Sequence, residues 1–239
     1  MQKTAAMKRA GAVMGVTIAV LCVLLVAFSY YHATRATISP YGELSLWDTI
    51  VMNSDIIMGL VFLAACSVPF FLKFERRKPR AREMVPLAVM AALGVVGRTV
   101  FQLIPLPNFK PVSAIVIITA VAFGPEAGFL TGALTAFVSN FIFGQGPWTP
   151  WQMFAYGAGG MLAGFLFAKG RLPQKRWVMA IFGFLACVLF VGPLLDTCTV
   201  FLTLPVINAQ TAWPLYISGF PVNISQGVCT ALTMVLFGP

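Results

Sequence analysis

The sequence predicts an all-α integral membrane protein with eight membrane crossings, and three observations support this fold class. The chain is 59% hydrophobic and only 10% charged, with a mean hydropathy of +0.88, whereas soluble domains carry about 25% charged residues. Uncharged apolar runs at 11–31, 56–72 and 178–195 approach the length of about 20 residues that spans a bilayer. Thirteen of the sixteen lysines and arginines are concentrated in three short segments.

These three basic segments, 1–9, 73–83 and 169–176, predict the topology. Positive charge next to membrane helices stays in the cytoplasm, so successive segments must be separated by even numbers of crossings and both chain ends lie inside. Eight helices satisfy this condition, two of them before residue 84 and six after it. They are predicted at 11–31, 56–72, 84–104, 112–123, 127–142, 151–168, 178–200 and 214–237.

The helices fall into two predicted units. Residues 1–83 form two N-terminal helices followed by a basic cytoplasmic linker, and residues 84–239 form a six-helix bundle. The shortest helix, 112–123, would be about 18 Å long, against a hydrocarbon core of about 30 Å. It is therefore predicted to be tilted and shielded by its neighbours, or partly re-entrant, which indicates that the bundle encloses a site.

The outward connections of the bundle, 105–111, 144–150 and 201–213, are rich in proline and aromatic residues. Polar side chains gather in the outer half of the adjoining helices, where their burial is costly unless they face a cavity or each other. The sequence therefore predicts an outward-facing pocket with aromatic walls and a few polar groups. Its predicted ligand-binding residues are Arg98, Gln102, Asn108, Asn140, Gln145, Trp148, Trp151, Gln152, Asp196 and Asn223.

Other interpretations compete for several of these positions. Arg98 could pair with Asp196 or extend to the interface, and Tyr156, Trp213 and Tyr216 fit an interfacial aromatic belt.

Small residues at four-residue spacing allow helices to approach closely. Gly128-x-x-x-Gly132 and Gly160-x-x-x-Gly164 predict packing within the chain, whereas Ala88-x-x-x-Ala92 fits a partner surface and internal packing about equally. The five scattered cysteines are predicted to be apolar packing residues.

No catalytic motif accompanies the predicted pocket. The sequence lacks H-E-x-x-H, G-x-S-x-G and Walker A patterns, and its single histidine, His32, lies in a predicted outward loop. We therefore expect no enzymatic activity of its own, no metal and no cofactor. The net charge of +9 resides mainly in the three cytoplasmic segments, so nucleic acid is not an expected partner.

Residues 84–239 resemble the substrate-binding (S) component of an energy-coupling factor (ECF) transporter. The resemblance rests on Ala88-x-x-x-Ala92, on the stretch PNFKPVSAIVIITAVAFGPEAGFLTGALTAFVSNFIFGQGPWTPWQMFAYGAGG at 107–160, and on six helices with both ends inside. It implies a prokaryotic plasma-membrane protein that captures a vitamin at its extracellular face. It further implies docking, through Ala88 and Ala92, to a transmembrane coupling protein that works with two cytoplasmic ATPases. Residues 1–83 are not covered by this resemblance.

The loops are most similar to those of members that take cobalamin or a related corrinoid. Riboflavin, a thiamine-precursor pyrimidine and a queuosine-type base remain alternatives. A membrane-embedded enzyme acting on lipids would need paired carboxylates or histidines at membrane depth, and a secondary transporter would show inverted repeats. A purely structural membrane subunit is the remaining alternative.

Overall fold

The structure is a computed structural model that describes residues 81–168, 170–204 and 209–238, together with helical positions 16, 19, 20, 23, 24 and 27. No strand occurs among the residues described. The predicted helix 56–72, the linker 73–80 and most of the predicted helix 11–31 lie outside these residues. The two N-terminal crossings and the inside location of both termini therefore stay predictions.

Seven α-helices form the described bundle, and two π-helical turns interrupt them. Residues Gly164–Ala168 extend the fourth helix, and Cys187–Val191 joins the fifth and sixth into one continuous rod. The helices are α1 Ala81–Val100, α2 Val112–Phe123, α3 Pro125–Phe143, α4 Trp148–Ala163, α5 Arg176–Ala186, α6 Gly192–Thr203 and α7 Ala209–Phe237. Each of the six predicted helices between 84 and 239 is thus present.

Four segments of the described chain are long and apolar enough to cross a membrane. They are Met84–Leu103, Pro125–Phe143, Arg176–Thr203 and Ala209–Phe237. This agrees with the predicted class of an all-helical integral membrane protein.

Several helix boundaries differ from the prediction by a few residues, and two of the shifted helix starts lie close to prolines. Helix α7 begins at Ala209 rather than 214, so Pro214 lies inside it, and residues 201–203 and 209–213 of the predicted loop are helical. Helix α4 begins at Trp148, which places Pro150 within the first turn instead of at its start. Proline lacks an amide N–H and is tolerated in the first turn. In membrane helices it is also tolerated further along, because neighbouring groups can satisfy the freed carbonyl.

The short helix α2 lies in the middle of the bundle, with eight of its twelve side chains buried. Gly124, at a φ of 99°, turns the chain after α2, and Pro125 begins α3 immediately. Neighbouring helices therefore shield α2, as one of the two predicted alternatives required.

Glycines bring α3 and α4 into backbone contact. A Cβ added to Gly132 would lie 2.6 Å from the carbonyl carbon of Tyr156 and 2.7 Å from the amide nitrogen of Gly157. A Cβ on Gly160 would lie 2.8 Å from the carbonyl oxygen of Gly128. The predicted internal packing role of these small-residue motifs is confirmed.

Replacement of Gly132 by alanine should destabilise the protein, because the new methyl group would collide with the α4 backbone, which cannot move aside as a side chain can. Overpacking of this kind typically costs about 1–3 kcal/mol. We expect a lower thermal midpoint in detergent for Gly132→Ala. The control is Val138→Ala, at an exposed position of the same helix. Equal midpoints for the two variants would contradict the close α3–α4 contact.

Candidate ligand-binding site

Arg98, near the end of α1, lies at the centre of a buried polar cluster and is only 6% exposed. Its Nη1 donates to the Ser139 hydroxyl and, at 2.9 Å, to Oδ1 of Asn140, while Nη2 donates to Oε1 of Gln152 at 3.0 Å. The Asn140 amide donates in turn to Oγ1 of Thr149 and to Oε1 of Gln152. We call these five residues the arginine network; it ties α1 to α3 and α4.

A second cation lies beside this network. Lys110, in the connection between α1 and α2, places its Nζ 4.8 Å from the centroid of the Phe143 ring, and the Arg98 guanidinium lies 5.0 Å from the same centroid. The pKa of Lys110 is lowered, chiefly because the side chain is partly buried and to a smaller extent because of the positive charge of Arg98. The connections 104–111 and 144–147 thus meet at one end of the bundle, which we call the loop end.

The turn between α3 and α4 is held by its own hydrogen bonds. Gln145 donates through Nε2 to the Phe137 carbonyl at 3.0 Å and accepts from the Thr149 hydroxyl at 2.9 Å. The Trp148 ring packs against Gly146, where an added Cβ would lie 2.5 Å from the indole. Side-chain hydrogen bonds to α3 and α4 thus hold the turn that precedes Trp148.

The two tryptophans of this stretch occupy different environments. Trp148 is 40% exposed at the loop end, whereas Trp151 is buried and its ring stacks on Phe201 of α6 at 5.8 Å. The Trp148 side chain is thus partly exposed at the loop end, while the Trp151 ring is packed between α4 and α6.

A second group of polar residues lies close by, and we call it the amide network. Asn108 donates to Oε1 of Gln226 at 2.9 Å, and Gln226 donates to the Ser113 hydroxyl at 3.0 Å. Tyr156 is buried beside Asn108, Gln226 and Arg98. Tyr156 is buried, so its assignment to an interfacial belt is wrong; it links the two networks inside the bundle.

Beside the amide network the bundle is closely packed. An internal cavity of about 10 Å³ touches Ser113, Tyr156 and Cys187, and a single water needs about 10–15 Å³ of such volume. This cavity could hold about one water molecule at most.

Asp196 and Asn223 are brought together elsewhere. The Asn223 amide donates to Oδ2 of Asp196 at 2.7 Å, and Gly192 and Gly219 leave the space that the pair occupies, since a Cβ on either would collide with it. Arg98 therefore does not pair with Asp196, because the partners of each are different. The pair lines an apolar groove of about 530 Å³ between the α5–α6 rod and α7, together with Trp213.

Two further predicted positions lie on the surface of the described bundle. Gln102 is exposed in a 3-10 turn after α1 and belongs to neither network. Ala88 and Ala92 are exposed on the outer face of α1, flanked by exposed Val89 and Leu93. Their exposure is inconsistent with packing inside the described bundle.

Sequence reasoning left several members of these networks out of the predicted site. They are Ser113, Ser139, Thr149, Tyr156 and Gln226; Lys110, beside the arginine network, was left out as well. Serine and threonine in membrane helices commonly bond to their own helix backbone, so their presence gives little signal. Gln226 lies within the last predicted membrane helix, but only the fold shows that it forms a hydrogen bond with Asn108. Three cysteines, Cys187, Cys198 and Cys229, are free and buried, in line with packing roles; Cys22 and Cys66 lie outside the described residues.

Replacement of Arg98 by lysine should destabilise the protein although it conserves the charge. A compact ammonium cannot reach Asn140 and Gln152 together as the guanidinium fork does, and each buried group left without a partner costs about 1–3 kcal/mol. We expect a lower thermal midpoint for Arg98→Lys than for Arg171→Lys, a matched change at an exposed position. Identical behaviour of the two variants would show that the arginine network contributes nothing to stability.

Comparison with known proteins gives one family and several relatives. The sequence model of the family described as "ECF-type riboflavin transporter, S component" matches residues 78–238. A UPF0397 protein of Vibrio atlanticus is 32% identical over 117 residues, covering 47% of this chain and 64% of that relative. A UPF0397 protein of Aliivibrio fischeri strain MJ11 is 28% identical over 163 residues, covering 59% of this chain and 87% of that relative. The chain thus spans less than two thirds of the Vibrio relative, and no solved structure matches it.

Proposed function

The chain belongs to the ECF-type riboflavin transporter S-component family, and on this premise we propose that it captures a vitamin at the loop end for an ATP-driven importer. The observation that carries the proposal is the buried Arg98 with its side-chain partners from α3 and α4. A charged side chain inside a membrane helix bundle usually marks a ligand or ion pathway.

The two networks supply the polar contacts that a vitamin ring needs. Between them they present a guanidinium, primary amides and a phenol, and the side chains come from α1, α4, α7 and the connection before α2. A heteroaromatic ring with several donors and acceptors can exchange hydrogen bonds with such groups while its faces rest on apolar walls. Movement of the connections 104–111 and 144–147 would admit the ligand, and their return would enclose it.

The family description and the small cavity beside the amide network support a choice of substrate. We place riboflavin first, because the family description names it and because its ring requires less displacement of the loop end than a corrinoid does. Cobalamin, favoured by the resemblance of the loops, is the alternative, followed by the thiamine-precursor pyrimidine and the queuosine-type base. These four compounds define the ligand panel.

The partners in this proposal are a transmembrane coupling protein and two cytoplasmic ATPases, which supply the energy for uptake. Ala88 and Ala92 form the docking surface, supported by their exposure on the outer face of α1 and by the close helix approach that small residues allow. Association with ATPases would also set the protein apart from a membrane enzyme or a self-sufficient secondary transporter.

Titration of the purified full chain with the four panel compounds tests ligand capture. We expect one compound to bind with a dissociation constant far below those of the others, riboflavin being the first candidate, as measured by isothermal calorimetry. Tight binding of cobalamin alone would overturn the riboflavin assignment and leave the capture function in place. Failure of all four, together with the absence of a co-purified vitamin in native mass spectrometry, would contradict the proposed function.

Replacement of Gln152 by leucine locates the site. Because Gln152 accepts hydrogen bonds from both Arg98 and Asn140, its loss should disorganise the arginine network and weaken binding of the panel ligand at least about tenfold, the effect of 1.4 kcal/mol. Gln102→Leu is the control, since Gln102 lies outside both networks, and it should bind normally. Equal affinities of the two variants would place the ligand away from the arginine network.

Tryptophan at Ala88 or Ala92 should separate docking from binding. The bulky side chain would prevent close helix approach at the outer face of α1, so uptake by cells should be lost while the isolated variant binds ligand with unchanged affinity. Ile181→Trp, at an exposed position of α5, should leave uptake intact. Loss of ligand binding in the alanine variants would instead assign the motif to the stability of the bundle.

A further inference from the structure

The distribution of positive charge in this chain is uneven in a way that the topology does not explain. Thirteen of the sixteen basic residues lie in the three predicted cytoplasmic segments. Arg98 and Lys110 are two of the remaining three, and the structure brings both to the loop end, the opposite end from the basic connection after α4.

The two cations share one aromatic ring. The guanidinium of Arg98 and the ammonium of Lys110 lie 5.0 Å and 4.8 Å from the centroid of Phe143. A ring face attracts a cation but does not neutralise it, and two like charges so placed repel each other. Arg98 is only 6% exposed. Its Nε–H is also buried and has no hydrogen-bond partner.

The acidic side chains that the structure describes do not compensate these charges. Asp196 accepts from Asn223 in the groove between the α5–α6 rod and α7, and Glu126 lies in the first turn of α3, at the end of that helix remote from Phe143. The hydrogen-bond partners of Arg98 are a hydroxyl and two amides, all uncharged. Within the described residues, the positive charge at the loop end is therefore without a counter-ion.

We propose that Arg98 and Lys110 form a binding site for an oxyanion, a phosphate or carboxylate group carried by the transported molecule. The Nε–H of Arg98 supplies one buried charge-assisted donor, and the Lys110 ammonium supplies up to three more. Phe143 provides an apolar surface for the part of the ligand next to the anion. This inference rests on the proposed function and narrows its substrate to an anionic form of the vitamin.

The rival occupant is a carboxylate of the chain itself. Glu43, Asp48 and Asp55 lie in the predicted outward segment between the two N-terminal helices, outside the described residues. An internal ion pair and a ligand oxyanion would satisfy the same cations, so the experiment must separate them.

Thermal unfolding of the full chain in detergent provides the first test, with inorganic phosphate and acetate as probes against chloride at equal ionic strength. We expect one of the two oxyanions to raise the thermal midpoint of the wild type and of Lys110→Arg. The same ion should have no effect on Lys110→Gln. Lys175→Gln, at an exposed position of the opposite end, should respond as the wild type does. A rise with phosphate assigns a phosphate ester, and a rise with acetate alone assigns a carboxylate.

Absence of any rise in the wild type overturns the inference. The variant Glu43→Gln/Asp48→Asn/Asp55→Asn then identifies the cause. If phosphate or acetate stabilises only this variant, an internal carboxylate fills the site. A rise that persists in Lys110→Gln would also overturn the inference, because the ion would then bind elsewhere.

A second measurement separates the failure of this inference from the failure of the proposed function. Riboflavin and riboflavin 5′-phosphate differ by one phosphate, and we expect the wild type to bind the phosphate at least tenfold more tightly, with the difference lost in Lys110→Gln. Equal binding of both, without stabilisation by either oxyanion, would leave the transport function in place and overturn the anion site. Stabilisation by an oxyanion without binding of any panel vitamin would support the anion site and contradict the transport function.

Discussion

Burial of the Arg98 guanidinium inside a membrane-spanning helix is the constraint on which the rest of the loop end depends. A charge at that position is costly unless polar groups surround it, and α1 itself supplies none of them. The partners must come from other helices, so Ser139 and Asn140 of α3 and Gln152 of α4 are drawn to the same point. The positions of three helices are thereby fixed relative to one another at the end where the turn between α3 and α4 lies.

The close approach of α3 and α4 makes this convergence possible. Gly132 and Gly160 remove the side chains that would hold the two helices apart, and their backbones come into contact. Asn140 and Thr149, on either side of the intervening turn, are then near enough to share a hydrogen bond. The glycines therefore set the distance between α3 and α4, and the polar cluster at the end of this helix pair depends on that short distance.

Tyr156 extends the arrangement towards α7. Tyr156 of α4 lies beside Asn108, Gln226 and Arg98, so α4, α7, α1 and the connection before α2 come together around its buried side chain. This arrangement would suit the proposed function, in which occupancy of the loop end affects the proposed docking surface on the outer face of α1. Lys110 lies on the same connection, so a ligand that engages its ammonium would act directly on this element.

The sequence by itself determined the class of protein, the six helices after residue 84 and the internal role of the glycine motifs. Hydropathy, the spacing of small residues and the location of basic segments are local properties that need no knowledge of neighbours. Several helix ends were misplaced because proline at positions such as Pro214 is compatible with both a helix start and a membrane-helix interior. Only the tertiary structure decided that Arg98 bonds to Asn140 and Gln152 rather than to Asp196. It also decided that Gln102 lies outside both polar networks and that Lys110 lies beside the same Phe143 ring as Arg98. Residues far apart in the chain become neighbours through helix rotation and register, and a single sequence carries no direct record of either.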